Sequence, residues 1–267
     1  MSKAAPTKNR CIHLHAGGLA VVLTLAATLG HTANEKETKP MTQSQMTTPS
    51  ASETLSARQQ AIVPIAAVAA VGDIARLNTA LNQGLDAGMT VSDAREILIQ
   101  LYAYAGFPRS LNALGELMKV VQARKQRGIQ DALGSAPSRP IPKGDALMTA
   151  GTANQTKLSG GPVDGPLFDV VPTANEYLRA HLFGDIFERD NLDWQSRELA
   201  TVGMLSALPG VEPQLLAHMR ISMNVGITEG QLRHVIQILA DRVDANMADR
   251  AREALARQLE SLSGRKQ

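Results

Sequence analysis

The sequence is short of the residues on which several large protein classes depend. It holds one cysteine, Cys11, in 267 residues, which excludes an intramolecular disulfide and a zinc cluster built on thiolates. Aromatic residues are 3% of the chain, four Phe, three Tyr and one Trp, so the core must come from Leu, Ile, Val, Ala and Met. Such a core suits close-packed helices better than a sandwich of aromatic and β-branched strands. No GxGxxG, P-loop, HExxH or GxSxG occurs, leaving nucleotide, zincin and serine-hydrolase chemistry without support. His181, His218 and His234 each lack a second histidine at metal-ligand spacing, so neither a metal nor another cofactor is expected.

What is present begins with an address. Lys3, Lys8 and Arg10 form a positive head with no acidic residue before Glu35, and Ala16 to Leu29 then runs without a charge. This is the length of a secretory apolar region and too short for a transmembrane helix. The expectation is a signal peptide over 1–33, with Ala33 or Gly30 at the cleavage position and a periplasmic or secreted product. Cleavage after Ala33 turns the formal charge of +2 into −1 and removes the only cysteine. The apparent basicity then belongs to the leader, so no nucleic-acid partner is implied and no membrane attachment after cleavage. Residues 34–57, rich in Thr, Ser, Gln and Lys, read as a solvated tether.

Two helical blocks follow, over 58–127 and 174–262. In the first, Asp73 starts one segment and Gly84 and Gly88 punctuate its end. Thr90 begins a pattern resembling a capping box, ahead of Ile97, Leu98, Leu101, Tyr102 and Ala105 on one face. Gly106-Phe107-Pro108 closes that helix and Ser110 opens the next. In the second block Asp193 is an N-cap, Pro209-Gly210 and Gly226 are breaks, and Thr228-Glu229-Gly230-Gln231 is a capping box. Between the blocks, 128–173 carries prolines 137, 140, 142, 162, 166 and 172. These forbid a long helix, and Leu167 to Val171 reads as a short extended contact. A connection of this length links two modules or wraps a surface. Shifting the chain by 138 residues superposes Gly72 on Gly210, Gly88 on Gly226, Thr90 on Thr228 and Leu101 on Leu239 without gaps. The fold class expected is all-α, a tandem repeat of one small helical unit.

One constellation carries chemistry: Arg197-Glu198-Leu199-Ala200-Thr201, then Pro209-Gly210, then His218, then Gly226-Ile227-Thr228. Here the sequence resembles the carboxymuconolactone decarboxylase family, which also contains the alkylhydroperoxidase D-like proteins. The phrase from Gln100 to Asn112, with Tyr102-Ala103-Tyr104-Ala105-Gly106-Phe107-Pro108-Arg109-Ser110 at its centre, is similar to one found in two-module members. The resemblance implies an alkylhydroperoxidase D-like helical module repeated twice, and ring-like homo-oligomers, here a trimer resembling a hexamer of single modules.

Peroxide-reducing members use a Cys-x-x-Cys pair between a glutamate and a histidine. The glutamate matches Glu198 and the histidine His218, but the thiol positions fall at Val211 and Gln214, which supply no thiolate. In the first module Gln60 and Ala80 replace the acid and the imidazole, so that module reads as degenerate. Decarboxylating members need no thiol. The resemblance therefore implies acid/base catalysis by Glu198 and His218 on a small organic acid or lactone, in which a buried carboxyl and imidazole handle the proton. Arg109, Arg220 or Arg179 would hold a substrate carboxylate, with Tyr102, Tyr104 and Gln214 lining the pocket. Each also has a structural reading: Glu198 as a first-turn carboxylate favouring the helix dipole, His218 as a satisfied core histidine, Arg109 as a turn or subunit contact, Tyr102 and Tyr104 as packing. A thiol peroxidase and a non-catalytic oligomeric binding protein are the alternatives.

Overall fold

The structure, a computed structural model, describes residues 53–264; the expected leader and nearly all of the tether lie outside the described residues. Every regular element among them is helical. The first block comprises α1 (Ala57–Val71), α2 (Ile74–Asp86), α3 (Val91–Gln100), the single turn α4 (Tyr102–Ala105) and α5 (Phe107–Gln126). Then come α6 (Asp145–Ser159), α7 (Pro166–Val170) and α8 (Pro172–Tyr177), which runs into a π-helical segment, Leu178–Ile186. The second block is α9 (Trp194–Ala207), α10 (Glu212–Asn224), α11 (Glu229–Arg242) and α12 (Ala245–Gly264). No described helix is long and apolar enough to cross a membrane.

The repeat is visible in the elements themselves. Helices α2, α3 and α5 begin 138 residues before α10, α11 and α12. Gly88 and Gly226 hold φ of 88° and 92°, the left-handed region that closes a helix. Thr90 and Thr228 each complete a capping box, with Asp93 and Gln231 as partners. Each cap satisfies N–H groups that the first turn leaves open, worth about 1 kcal/mol.

At the centre α1 packs most extensively on α9. Ala61 to Ala70 are buried without interruption in the first, and Ser196 to Ala207 in the second. A helix buried all round should be apolar all round, and α1 obeys, with Ile62, Val63, Ile65 and Val68 among its buried residues. Helix α9 does not: Arg197, Glu198, Thr201 and Ser206 are each fully buried. Buried polar groups require partners, and those of α9 define the candidate site.

Several local expectations need correction. The connection does contain a long helix, α6, of 15 residues; the prolines flank residues 143–161 instead of interrupting them. The stretch from Leu167 is the short helix α7, not an extended strand. Gly84 lies inside α2, where a Cβ would meet Ile65 Cδ1 at 2.9 Å, so it serves packing and not punctuation. Helix α5 opens at Phe107, with Pro108 in its first turn where the missing N–H costs nothing. Ser110 is instead buried and donates to the Leu98 carbonyl at 2.7 Å.

The connection wraps before it docks. The carbonyls of Ala132 and Leu133 accept from the Val91 and Ser92 amides at 2.9 Å, serving open donors at the start of α3. Helix α6 then packs on the π-helical segment so closely that a Cβ at Gly151 would lie 1.9 Å from the Arg179 carbonyl oxygen. Leu158, Phe183, Ile186, Phe187 and Ile221 form a second small core there, with Tyr102, Tyr104 and Trp194 against it. The few aromatic residues are thus concentrated where the connection covers α10.

Candidate functional site

Asp193 caps α9 through the Ser196 amide at 2.7 Å, and Glu198 follows one turn later as the fifth helical residue. It is beyond the first turn and fully buried, so the helix-dipole reading does not describe it. The Pro209-Gly210 turn folds α10 back on α9, and His218 Nδ1 comes to 2.8 Å from Glu198 Oε2. His218 is 7% exposed. Its Nε2 has no partner among the described residues, and the second carboxyl oxygen of Glu198 is buried without one. An unpaired buried acceptor costs about 1–3 kcal/mol, a cost that a bound donor would remove.

The first block completes this pair. Tyr104, from α4, sets its ring edge-on to His218, 5.7 Å between centroids at 78°. Its hydroxyl lies 3.3 Å from Thr201 Oγ1. Burial, reinforced by the Glu198 charge, pushes the phenol well above its ordinary pKa, so the hydroxyl keeps its proton. Gln100 Nε2 donates to Thr201 Oγ1 at 2.7 Å and to the Arg197 carbonyl at 3.0 Å.

One turn further back on α3, Glu96 is fully buried and accepts from Arg189 at 2.8 and 2.7 Å, from Asn191 at 3.0 Å and from Arg197 at 3.2 Å. Burial alone would raise its pKa, but hydrogen bonds from Arg189 and Asn191 and the two guanidinium charges hold it down at about 2. The two arginines respond in opposite directions. Burial lowers the pKa of the sealed Arg197, whereas the hydrogen bond to Glu96 raises that of Arg189, which is 25% exposed. Both stay charged, since a guanidinium starts far above neutral pH.

Glu96, Gln100 and Tyr104 are spaced by four on successive turns, and all meet α9. Sequence reasoning did not select Glu96, Gln100 or Thr201 for the site, and it read Tyr104 only as pocket lining or packing. The available signal was that four-residue spacing of polar and hydroxyl side chains on an otherwise apolar face.

The residues expected to bind substrate have other surroundings. Arg109 donates to the Ala70 carbonyl near the end of α1, the turn-fixing reading. Tyr102 stacks on Phe107, 4.6 Å between centroids and nearly parallel, instead of facing His218. Gln214 is exposed on α10. Arg220, two residues past His218 and so on a different side of the helix, lines a cavity of about 450 Å³ with Gly160, Asp164, Asn224 and Gln258. Arg179 donates to Gln155 at 3.1 Å and approaches Asp164. None of the five has a side-chain hydrogen bond, ion pair or ring contact with the Glu198–His218 pair. Among the described residues no group of three or more His, Cys, Asp or Glu could hold a metal ion.

The model of the carboxymuconolactone decarboxylase family matches twice, at 44–118 and 172–257, together 161 of the 267 residues. The chain belongs to that family. No curated protein matches it. The two matched segments span the structural repeat, and the first reaches back to residue 44, earlier than the boundary drawn from composition. Membership supports a carboxymuconolactone decarboxylase-like or alkylhydroperoxidase-like protein. Val211 occupies the N-cap position of α10 without a side-chain cap and Gln214 lies in its first turn, so the two positions matched above to the thiols of peroxide-reducing members carry an aliphatic and an amide side chain.

Proposed function

We propose that this family member is a cofactor-independent acid/base catalyst acting on a small organic acid or lactone, by decarboxylation or proton transfer. The observation that carries the reading is the 2.8 Å contact between buried Glu198 and nearly buried His218. The Glu198 carboxylate accepts a hydrogen bond from Nδ1–H and leaves the Nε2 lone pair free, which makes His218 the base and, once protonated, the acid. In a decarboxylation the C–C bond to the carboxylate breaks, CO₂ leaves, and the electron pair passes into the conjugated carbonyl as an enolate. The proton that His218 has taken from the substrate's carboxylic acid before the bond breaks is the one it returns to carbon. In this reading the Tyr104 hydroxyl, held protonated by burial, donates to the developing oxyanion.

The peroxidase alternative is disfavoured because a thiolate is the nucleophile toward peroxide, and the only cysteine is Cys11. A binding protein without turnover is the second reading, favoured by how tightly the pair is sealed. The proposal also includes export, carried by the charged head and apolar run of the first thirty residues, and assembly of copies into a trimer. Phe107, Leu111 and Met118, all more than half exposed along one face of α5, support that assembly.

The test is solvent deuterium exchange and CO₂ release over a panel of unsaturated lactone acids and small carboxylic acids. Glu198→Gln and His218→Ala should each abolish turnover with helical circular dichroism retained, and Tyr104→Phe should lower kcat about a hundredfold. Turnover surviving in both of the first two variants refutes the catalytic reading. A ligand that raises the melting temperature, is never converted, and loses that effect in His218→Ala supports binding alone.

A further inference from the structure

The internal repeat allows each position of the second module's pair to be inspected in the first. Gln60 stands where Glu198 does, and Ala80 where His218 does. Gln60 is absorbed into structure: its amide donates to the Leu55 carbonyl at 2.9 Å, and its oxygen accepts from Arg242 Nη2 at 3.2 Å. Ala80 has no side chain beyond Cβ to take the place that the His218 imidazole has in the second module. At that place lies a groove-like cavity of about 540 Å³, its floor formed by buried Pro64, Val68 and Ala80 and its rim by exposed Arg76, Thr79, Gln83 and Arg242. The corresponding positions in the second module include Val202 and Ser206, both fully buried, and His218 itself.

Both rim arginines are exposed, and the partners of their side chains are neutral. Arg76 Nη2 donates to the Arg242 and Val243 carbonyls at 3.2 and 2.6 Å, and Arg242 to the Gln60 amide oxygen. Neither takes part in an ion pair among the described residues. The carbonyl end of α11 offsets part of one charge, which still leaves a positive rim over an apolar floor. The volume falls within the range of small-molecule sites, and a guanidinium pair suits a planar carboxylate.

We propose that the degenerate first module is a binding site for a small organic carboxylate with an apolar body, separate from the Glu198–His218 pair. Where the second module carries an acid and an imidazole, the first carries Gln60 and Ala80 and an open cavity. This inference stands whether or not the pair is catalytic.

The experiment follows benzoate binding to the full chain by ligand-detected NMR, with benzyl alcohol and inorganic phosphate as comparison probes. Saturable benzoate binding is expected, with both comparison probes clearly weaker. Arg242→Gln should weaken it about fivefold, the upper end for an exposed charge pair. Ala80→Met, which fills the floor and leaves both charges, should abolish it. Arg76 also ties α2 to the end of α11, so Arg76→Lys, which keeps the charge, serves in place of its removal and should retain most of the binding. Glu198→Gln and His218→Ala should leave benzoate binding unchanged. The proposal is overturned by no saturable binding, by phosphate binding as strongly as benzoate, by indifference to Ala80→Met, or by loss of binding in His218→Ala.

Discussion

Replacing Glu96 by Gln should expose how the two modules are held in register. The carboxylate is fully buried between Arg189 and Arg197, and its pKa is held at about 2 against an ordinary 4.5. At 1.36 kcal/mol per unit, that difference corresponds to about 3 kcal/mol of folding stability. Because the folded pKa is depressed, this contribution is complete above pH 4.5 and is lost as the pH falls through about 2. The amide in Glu96→Gln keeps the shape but leaves Arg197, itself fully buried, without a counter-charge. Removing one partner of a buried pair costs roughly 3–5 kcal/mol. Urea unfolding followed by circular dichroism, on both proteins from pH 7 down to pH 2, should show a gap of that size at neutral pH. The gap should close as the pH approaches 2. A gap under about 1 kcal/mol at pH 7, or one that does not change with pH, would refute the reasoning.

Two further changes probe the packing. Gly203→Ala places a Cβ 2.9 Å from the Val63 carbonyl oxygen and 3.2 Å from Ala66 Cβ, at the α1–α9 contact; thermal unfolding should show a loss of about 1–3 kcal/mol. Gly115→Ala, inside α5 with nothing within 4 Å of the new atom, should instead gain up to about 1 kcal/mol, and a loss there would mean that the space is occupied in solution. Thr228→Ala removes the acceptor for the Gln231 amide at 3.1 Å and should cost about 1 kcal/mol. Restoring that loss with Thr228→Ser, but not with Thr228→Val, would assign it to the hydroxyl.

By itself the sequence determined the helical class and the repeat, which follow from short-range chemistry: apolar spacing, and glycine and threonine at the same helix break. Its resemblance to the family singled out Glu198 and His218. Asp193, Thr90 and Thr228 cap where their side chains dictate, because a cap is satisfied within three residues. The tertiary structure decided which other residues reach the pair. Tyr104 and Gln100 lie about a hundred residues from Thr201, and no local rule says which face of α3 meets which face of α9. It also separated Arg220 and Arg109 from the pair, since a guanidinium's partner depends on the long-range packing of neighbouring helices. The connection was misread for a related reason: counting its prolines ignored that none interrupts residues 143–161, where docking on the π-helical segment stabilises a helix of modest amphipathic character. The cavity in the first module belongs to the same class of fact. The sequence shows an alanine in place of a histidine, and only the packing of α1 and α2 around it shows that the space stays open.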